Sequence, residues 1–87
     1  MKPNALVINA ADNVAVALED IARGGTVRLA DGRELAAADD IPFSHKVALR
    51  DLAPGEDIVK YGEVIGRASR GIEKGGWVHT HNLAVDE

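Results

Sequence analysis

Val16-Ala17-Leu18-Glu19-Asp20-Ile21-Ala22-Arg23-Gly24-Gly25-Thr26-Val27 aligns without gaps on Val47-Ala48-Leu49-Arg50-Asp51-Leu52-Ala53-Pro54-Gly55-Glu56-Asp57-Ile58. The shared skeleton is Val-Ala-Leu-x-Asp-(Ile/Leu)-Ala-x-Gly-x-x-(Val/Ile). A degraded third copy, Ile72-Glu73-Lys74-Gly75-Gly76-Trp77-Val78, keeps only the apolar-x-x-Gly-x-x-apolar part. Each copy reads as one unit: a strand, a single tight turn with glycine in the left-handed position, and the next strand.

The rest of the chain fits the same economy. Ala5 to Ile8 is a short apolar run, expected as a buried strand, and Asp12-Asn13 has the chemistry of a turn. Val14 to Leu18 alternates β-branched residues and is expected as a strand with Val14, Val16 and Leu18 on one face. Thr26 to Ala30, Asp31-Gly32 and Arg33 to Leu35 predict a hairpin with a type I′ turn. Further strands are expected at His45–Leu49, Asp57–Tyr61 and Val64–Ala68, and a last one at Trp77–Asn82. Residues 83–87 read as a tail. Together these elements predict a single all-β domain over residues 1–87, its core about 5–82, built of short strands and tight glycine turns.

Composition narrows the functions. Hydrophobic residues make up 46% of the 87 and aromatics only 3%, so the core is aliphatic and thin. A domain this small is marginal alone and gains stability from whatever binds its folded form, another protein or a second copy of itself. A net charge of −4 without a basic run argues against nucleic acid. No stretch is long and apolar enough for a membrane span or a signal sequence, and there is no cysteine for a disulfide or a thiolate metal site. A cytoplasmic protein is the expectation.

The chemistry-bearing residues collect near the end. On an extended Trp77-Val78-His79-Thr80-His81-Asn82, the side chains of Trp77, His79 and His81 share one face. His-x-His on a strand suits a divalent metal when a third ligand arrives, from His45 or a carboxylate. It equally suits acid–base work near neutral pH, or an edge strand with half-exposed histidines. Asn82 can orient a histidine, bind a hydroxyl or simply end the strand. Asp12 and Asn13 can bind substrate hydroxyls or make a turn, and His45-Lys46 is a cationic pair suited to a carboxylate. No phosphate loop, nucleophile elbow or complete metal cage is present.

Four stretches occur in the order and spacing of one family. They are Asp12-Asn13-Val14-Ala15-Val16-Ala17, His45-Lys46-Val47-Ala48-Leu49, Lys60-Tyr61-Gly62-Glu63-Val64-Ile65-Gly66 and Gly76-Trp77-Val78-His79-Thr80-His81-Asn82. From Leu6 to Asn82 the chain resembles the SAF-type domain of altronate and galactarate dehydratases, which also exists as a separate small subunit. The small subunit of sulfolactate sulfo-lyase is similar. One departure is Ser44, where the family usually has glycine before the His-Lys pair.

The resemblance implies a β-clip fold of three folded-over hairpin-like units. It implies a small subunit, inactive alone, that lends part of an active site to a large catalytic subunit. The reaction would remove water from a sugar acid with help from iron or manganese, or sulfite from a related hydroxy acid. His79, His81 and His45 would be catalytic, with His79 and His81 also candidate metal ligands. Asp12, Asn13, Lys46 and Asn82 would bind substrate. A non-catalytic SAF-type binding module is the competing reading.

Overall fold

The computed structural model describes residues 2–85. All its regular structure is β: β1 (Ala5–Leu6), β2 (Val14–Ala17), β3 (Thr26–Arg28), β4 (Glu34–Ala36), β5 (Lys46–Ala48), β6 (Asp57–Lys60), β7 (Glu63–Ala68), β8 (Trp77–Val78) and β9 (Leu83–Ala84). The all-β expectation is met. A four-stranded antiparallel sheet, β1-β2-β5-β8, is flanked by the β3–β4 hairpin and by the sheet β6-β7-β9.

The central sheet is covered on both faces, which explains why its strands read as nearly continuous apolar runs. Ala5, Ala15, Ala17 and Val47 face one cluster, completed by Val27, Leu29 and Leu35 of the β3–β4 hairpin and by Ile21 and Ile41. Val14, Ala48 and Val78 face the other, with Leu52, Ile58, Ala68 and Ile72. Val14, Val16 and Leu18, expected to share one face, differ in burial, and of the three only Val14 is buried. Ala15 and Ala17 are fully buried, Val16 is half-buried and Leu18 is exposed. Alanines suit the inner face because they let a second layer approach closely. Leu6 and Ile8 are likewise exposed, so only the start of the Ala5–Ile8 run is core.

The repeat is real, and it has a fourth copy that the sequence pattern does not reveal. Gly24, Gly55 and Gly75 have φ of 84, 84 and 85°. Ser44, in Ile41-Pro42-Phe43-Ser44-His45-Lys46-Val47, has φ 70° and occupies the same position. In all four units the residue after this position donates its N–H back to close the turn. These bonds are Gly25 to Ala22, His45 to Pro42, Glu56 to Ala53 and Gly76 to Glu73, at 2.8 to 3.0 Å. In all four the left-handed residue itself donates to the carbonyl of a buried alanine: Ala37, Ala17, Ala68 and Ala48, respectively. The units join in pairs through the bridges Ile21–Ile41 and Leu52–Ile72. Serine in place of glycine, followed by His and Lys, hid this copy.

Two expectations are corrected. The β3–β4 hairpin forms in the expected register, Val27 opposite Leu35, but its turn is not type I′. Only Gly32 has positive φ there, and its N–H reaches the carbonyl of Leu29, a type I turn followed by a left-handed glycine. The I′ signature instead appears at Tyr61-Gly62, with φ of 57 and 75°, between β6 and β7. The tail is corrected too: Leu83 and Ala84 form β9, paired with Ala68 and Arg67, and Leu83 packs on the second core. Residues 86–87 of that expected tail lie outside the described residues.

Candidate functional site

Strand β5 and strand β8 are neighbours, with Val47 opposite Trp77. That register sets His45, immediately before β5, against the indole of Trp77. The Trp77 Nε1–H donates to His45 Nδ1 at 3.0 Å. The expected extended run from Trp77 to Asn82 stops after Val78, because Asn82 and Leu83 both donate N–H groups to the carbonyl of His79 and turn the chain. His79 and His81 nevertheless come to the tryptophan. His79 stacks on it with ring centroids 5.4 Å apart and planes 8° from parallel, and the His81 ring lies 4.9 Å away. His45 and His79 are 4.5 Å apart. Three imidazoles thus surround one indole.

Charge in this region is unbalanced. Arg28, Arg33, Arg50 and Arg67 each face a carboxylate, namely Glu34, Asp31, Glu56 and Asp57. Among the described residues no ion pair engages Lys46 or Lys60. Partial burial, and then the charge of Lys60, push the Lys46 ammonium below its ordinary value. Lys60 lies 4.7 Å over the ring of Tyr61. Partial burial lowers His79 as well, with added repulsion from His45, Lys46 and His81, so its imidazole favours the neutral form. A cluster of lysine and imidazole groups in which no described carboxylate pairs with the lysines suits an anionic ligand.

The structure separates the expected site residues. His45, Lys46, His79 and His81 are brought together. Asn82 sits behind them, buried, with its side chain committed: Oδ1 accepts from the His79 N–H at 2.9 Å and Nδ2 donates to the Trp77 carbonyl at 2.8 Å. Asn13 makes the same clamp elsewhere, on Val59 and Asp57, and Asn4 makes it on Arg28 and Thr26. These are the three buried polar residues among those described. Asn13 and Asn82 therefore spend their amides on backbone, which gives Asn82 a positioning part.

Asp12 closes the turn from Asn9 and accepts the N–H of Gly62 at 2.7 Å. Burial alone would raise its carboxyl, and the amides of Gly62, Asn9, Tyr61 and Ile8 more than offset this and hold it below the usual range. It is a turn residue with no bond to the histidine group. Trp77 was legible as the lone tryptophan beside the histidines, but its part in ordering them was not.

The metal that the resemblance implies would need a set of donors converging on one point. Among the described residues no group of three or more histidine, aspartate or glutamate side chains is placed to hold an ion. His45 has one ring nitrogen already occupied by Trp77. The donor set does not fit a metal held by this chain alone.

The chain matches the family model described as the altronate/galactarate dehydratase SAF domain over residues 3–86. It is 45% identical to an altronate dehydratase of Escherichia coli over 79 residues, 91% of this chain and 16% of that protein. It is 41% identical to a galactarate dehydratase (L-threo-forming) of the same organism over 76 residues, 87% of this chain and 14% of the relative. A (2R)-sulfolactate sulfo-lyase subunit alpha of Paracoccus pantotrophus is 52% identical over 48 residues, 55% of this chain and 72% of that subunit. The chain thus spans about a sixth of the dehydratases it matches. With its all-β fold, its repeated turn unit and a match that covers nearly all of its residues, the chain belongs to the altronate/galactarate dehydratase SAF domain family.

Proposed function

We propose that this chain is the small subunit of a cytoplasmic sugar-acid dehydratase of the altronate or galactarate type, and that it lends part of the active site to a large catalytic subunit. The observation that carries the reading is the group of His45, His79 and His81 around Trp77, with Lys46 close enough to His79 to repel its protonation. Dehydration breaks the C–H bond beside the substrate carboxylate and the C–O bond of the adjacent hydroxyl, and forms a C=C bond and water. A base must take the carbon-bound proton, and an acid must give a proton to the departing hydroxyl. His79, favoured as neutral imidazole, suits the base, and Lys46 suits the carboxylate. An iron or manganese ion would add Lewis acidity in the assembled enzyme. The large subunit would hold most of its ligands; His79 and His81 are this chain's candidates, and where His79 acts as the base the ligand would be His81.

The test is co-expression with the large subunit and assay of altronate and galactarate dehydration. Replacing His79 and His81 together by Ala is expected to lower turnover by about 10²-fold or more. Unchanged turnover would sink the catalytic role. The similarity to separate sulfo-lyase alpha subunits favours a second reading, a sulfolactate lyase subunit. Assaying sulfite release from sulfolactate by the same complex decides between them. If the purified complex does neither while the chain still binds its partner, it is a binding module.

A further inference from the structure

The bond between Trp77 and His45 fixes where a proton resides. An indole nitrogen can only donate, so the ring nitrogen that receives it, His45 Nδ1, carries no hydrogen. In a neutral imidazole the single proton is then on the other nitrogen, Nε2, on the side of the ring away from Trp77. Trp77 is itself well held. Its strand pairs with β5, its backbone N–H donates to Asp39 Oδ2 at 3.0 Å, and its carbonyl accepts from Asn82. Its flat face carries His79 at 8° from parallel. The indole is thus a common reference for two imidazoles, binding one by its edge and the other by its face.

We infer that Trp77 is a positioning residue that fixes His45 in the Nε2–H tautomer, so that His45 serves the site as a hydrogen-bond donor and not as a base. A donor at this place can hold a substrate hydroxyl or carboxylate oxygen, and the proton-accepting role passes to His79, whose ring nitrogens receive no bond from Trp77. The tautomer follows from the geometry alone, while its catalytic consequence rests on the dehydratase reading above.

The tautomer is read by long-range proton–nitrogen correlation spectra of the 15N-labelled 87-residue chain, at about pH 8.5 where ordinary imidazoles are neutral. Comparison with His45→Gln assigns the His45 signals. The expected result is a single Nε2–H pattern for His45 that becomes a mixture in Trp77→Phe, which keeps a ring but has no N–H. A wild-type His45 in the Nδ1–H form, or a pattern unmoved by Trp77→Phe, overturns the inference. If Trp77→Phe does not fold, the wild-type spectrum decides by itself. In the assembled enzyme Trp77→Phe is expected to lower kcat by about 10- to 100-fold with KM little changed. A KM effect alone overturns the positioning role. Inactivity of His79→Ala together with these spectra supports both readings. An indifferent His79→Ala beside the expected spectra overturns the dehydratase site and leaves the tautomer standing.

Discussion

Asn82 grips the backbone of His79 from both sides: its Oδ1 accepts the His79 N–H at 2.9 Å, and its own N–H donates to the His79 carbonyl at 3.1 Å. Removing the side chain leaves partly buried backbone groups of His79 and Trp77 without these partners. Asn82→Ala is expected to cost about 1–3 kcal/mol of stability, measured by urea unfolding. Asn4→Ala, which breaks the same clamp at Arg28 and Thr26, is expected to cost a similar amount. Only Asn82→Ala should disturb the ring stacking of His79 on Trp77, read as a change in tryptophan fluorescence. Equal fluorescence in both variants would count against the clamp as the organiser of the histidines.

Ser44 holds a left-handed conformation at φ 70° in a place where the other three units have glycine. A side chain in that region costs about 1–2 kcal/mol, partly offset by the greater freedom that glycine loses on folding. Ser44→Gly is therefore expected to raise stability by about 1 kcal/mol, seen as a higher thermal midpoint. Ser44→Val, with a branched β-carbon, should lower it. A destabilised Ser44→Gly would refute the assigned strain.

The glycines of the repeat differ in what surrounds them. A methyl group at Gly55 meets nothing within 4 Å, so Gly55→Ala should lose only about 1–2 kcal/mol from its φ of 84°. At Gly75 the same methyl group would overlap the carbonyl oxygen of Ala36. Gly75→Ala is expected to lose about 4 kcal/mol or more, enough to unfold much of a chain this small. Comparable midpoints for the two variants would contradict this packing.

His79 gives stability a pH dependence. Its folded-state value lies below that of the unfolded chain, so the unfolded state binds the proton more readily. The associated stability is present in full above about pH 6.5 and is lost as pH falls through the folded-state value. Thermal midpoints followed from about pH 8 down to about pH 4 should fall more steeply for the wild type than for His79→Gln. Parallel curves would show that His79 is not perturbed.

How much of this was legible depends on how local its cause is. The repeat, the hairpins and the all-β fold follow from glycine spacing and strand alternation, which act within a few residues. The Ser44 unit was hidden because tertiary pairing, of Ser44 with Ala17 and of Ile41 with Ile21, imposes a left-handed turn on a serine, a residue type with no preference for it. The histidines were legible as residues, but their meeting at Trp77 depends on the β5–β8 register and on the turn made by Asn82. Asn13 and Asn82 looked like ligand residues because an exposed amide and a buried clamp have the same letter. Strand β9 was missed since Leu83-Ala84 has no periodicity of its own and is ordered by the edge of β7.

The turn of each unit divides its work between two adjacent positions. Gly24, Ser44, Gly55 and Gly75 bear the backbone conformation, while the next position holds Gly25, His45, Glu56 and Gly76, whose N–H closes the turn and whose carbonyl accepts from the buried alanines Ala37, Ala17, Ala68 and Ala48. Glycine, glutamate and histidine all occupy that second position over the same turn. The fold still discriminates among the four: an added side chain at Gly25 or Gly76 would come within 2.8 Å of the carbonyl oxygen of Ala22 or Glu73, whereas the units of Ser44 and Gly55 accommodate one, so the reactive imidazole of His45 rides on a turn that has room for it.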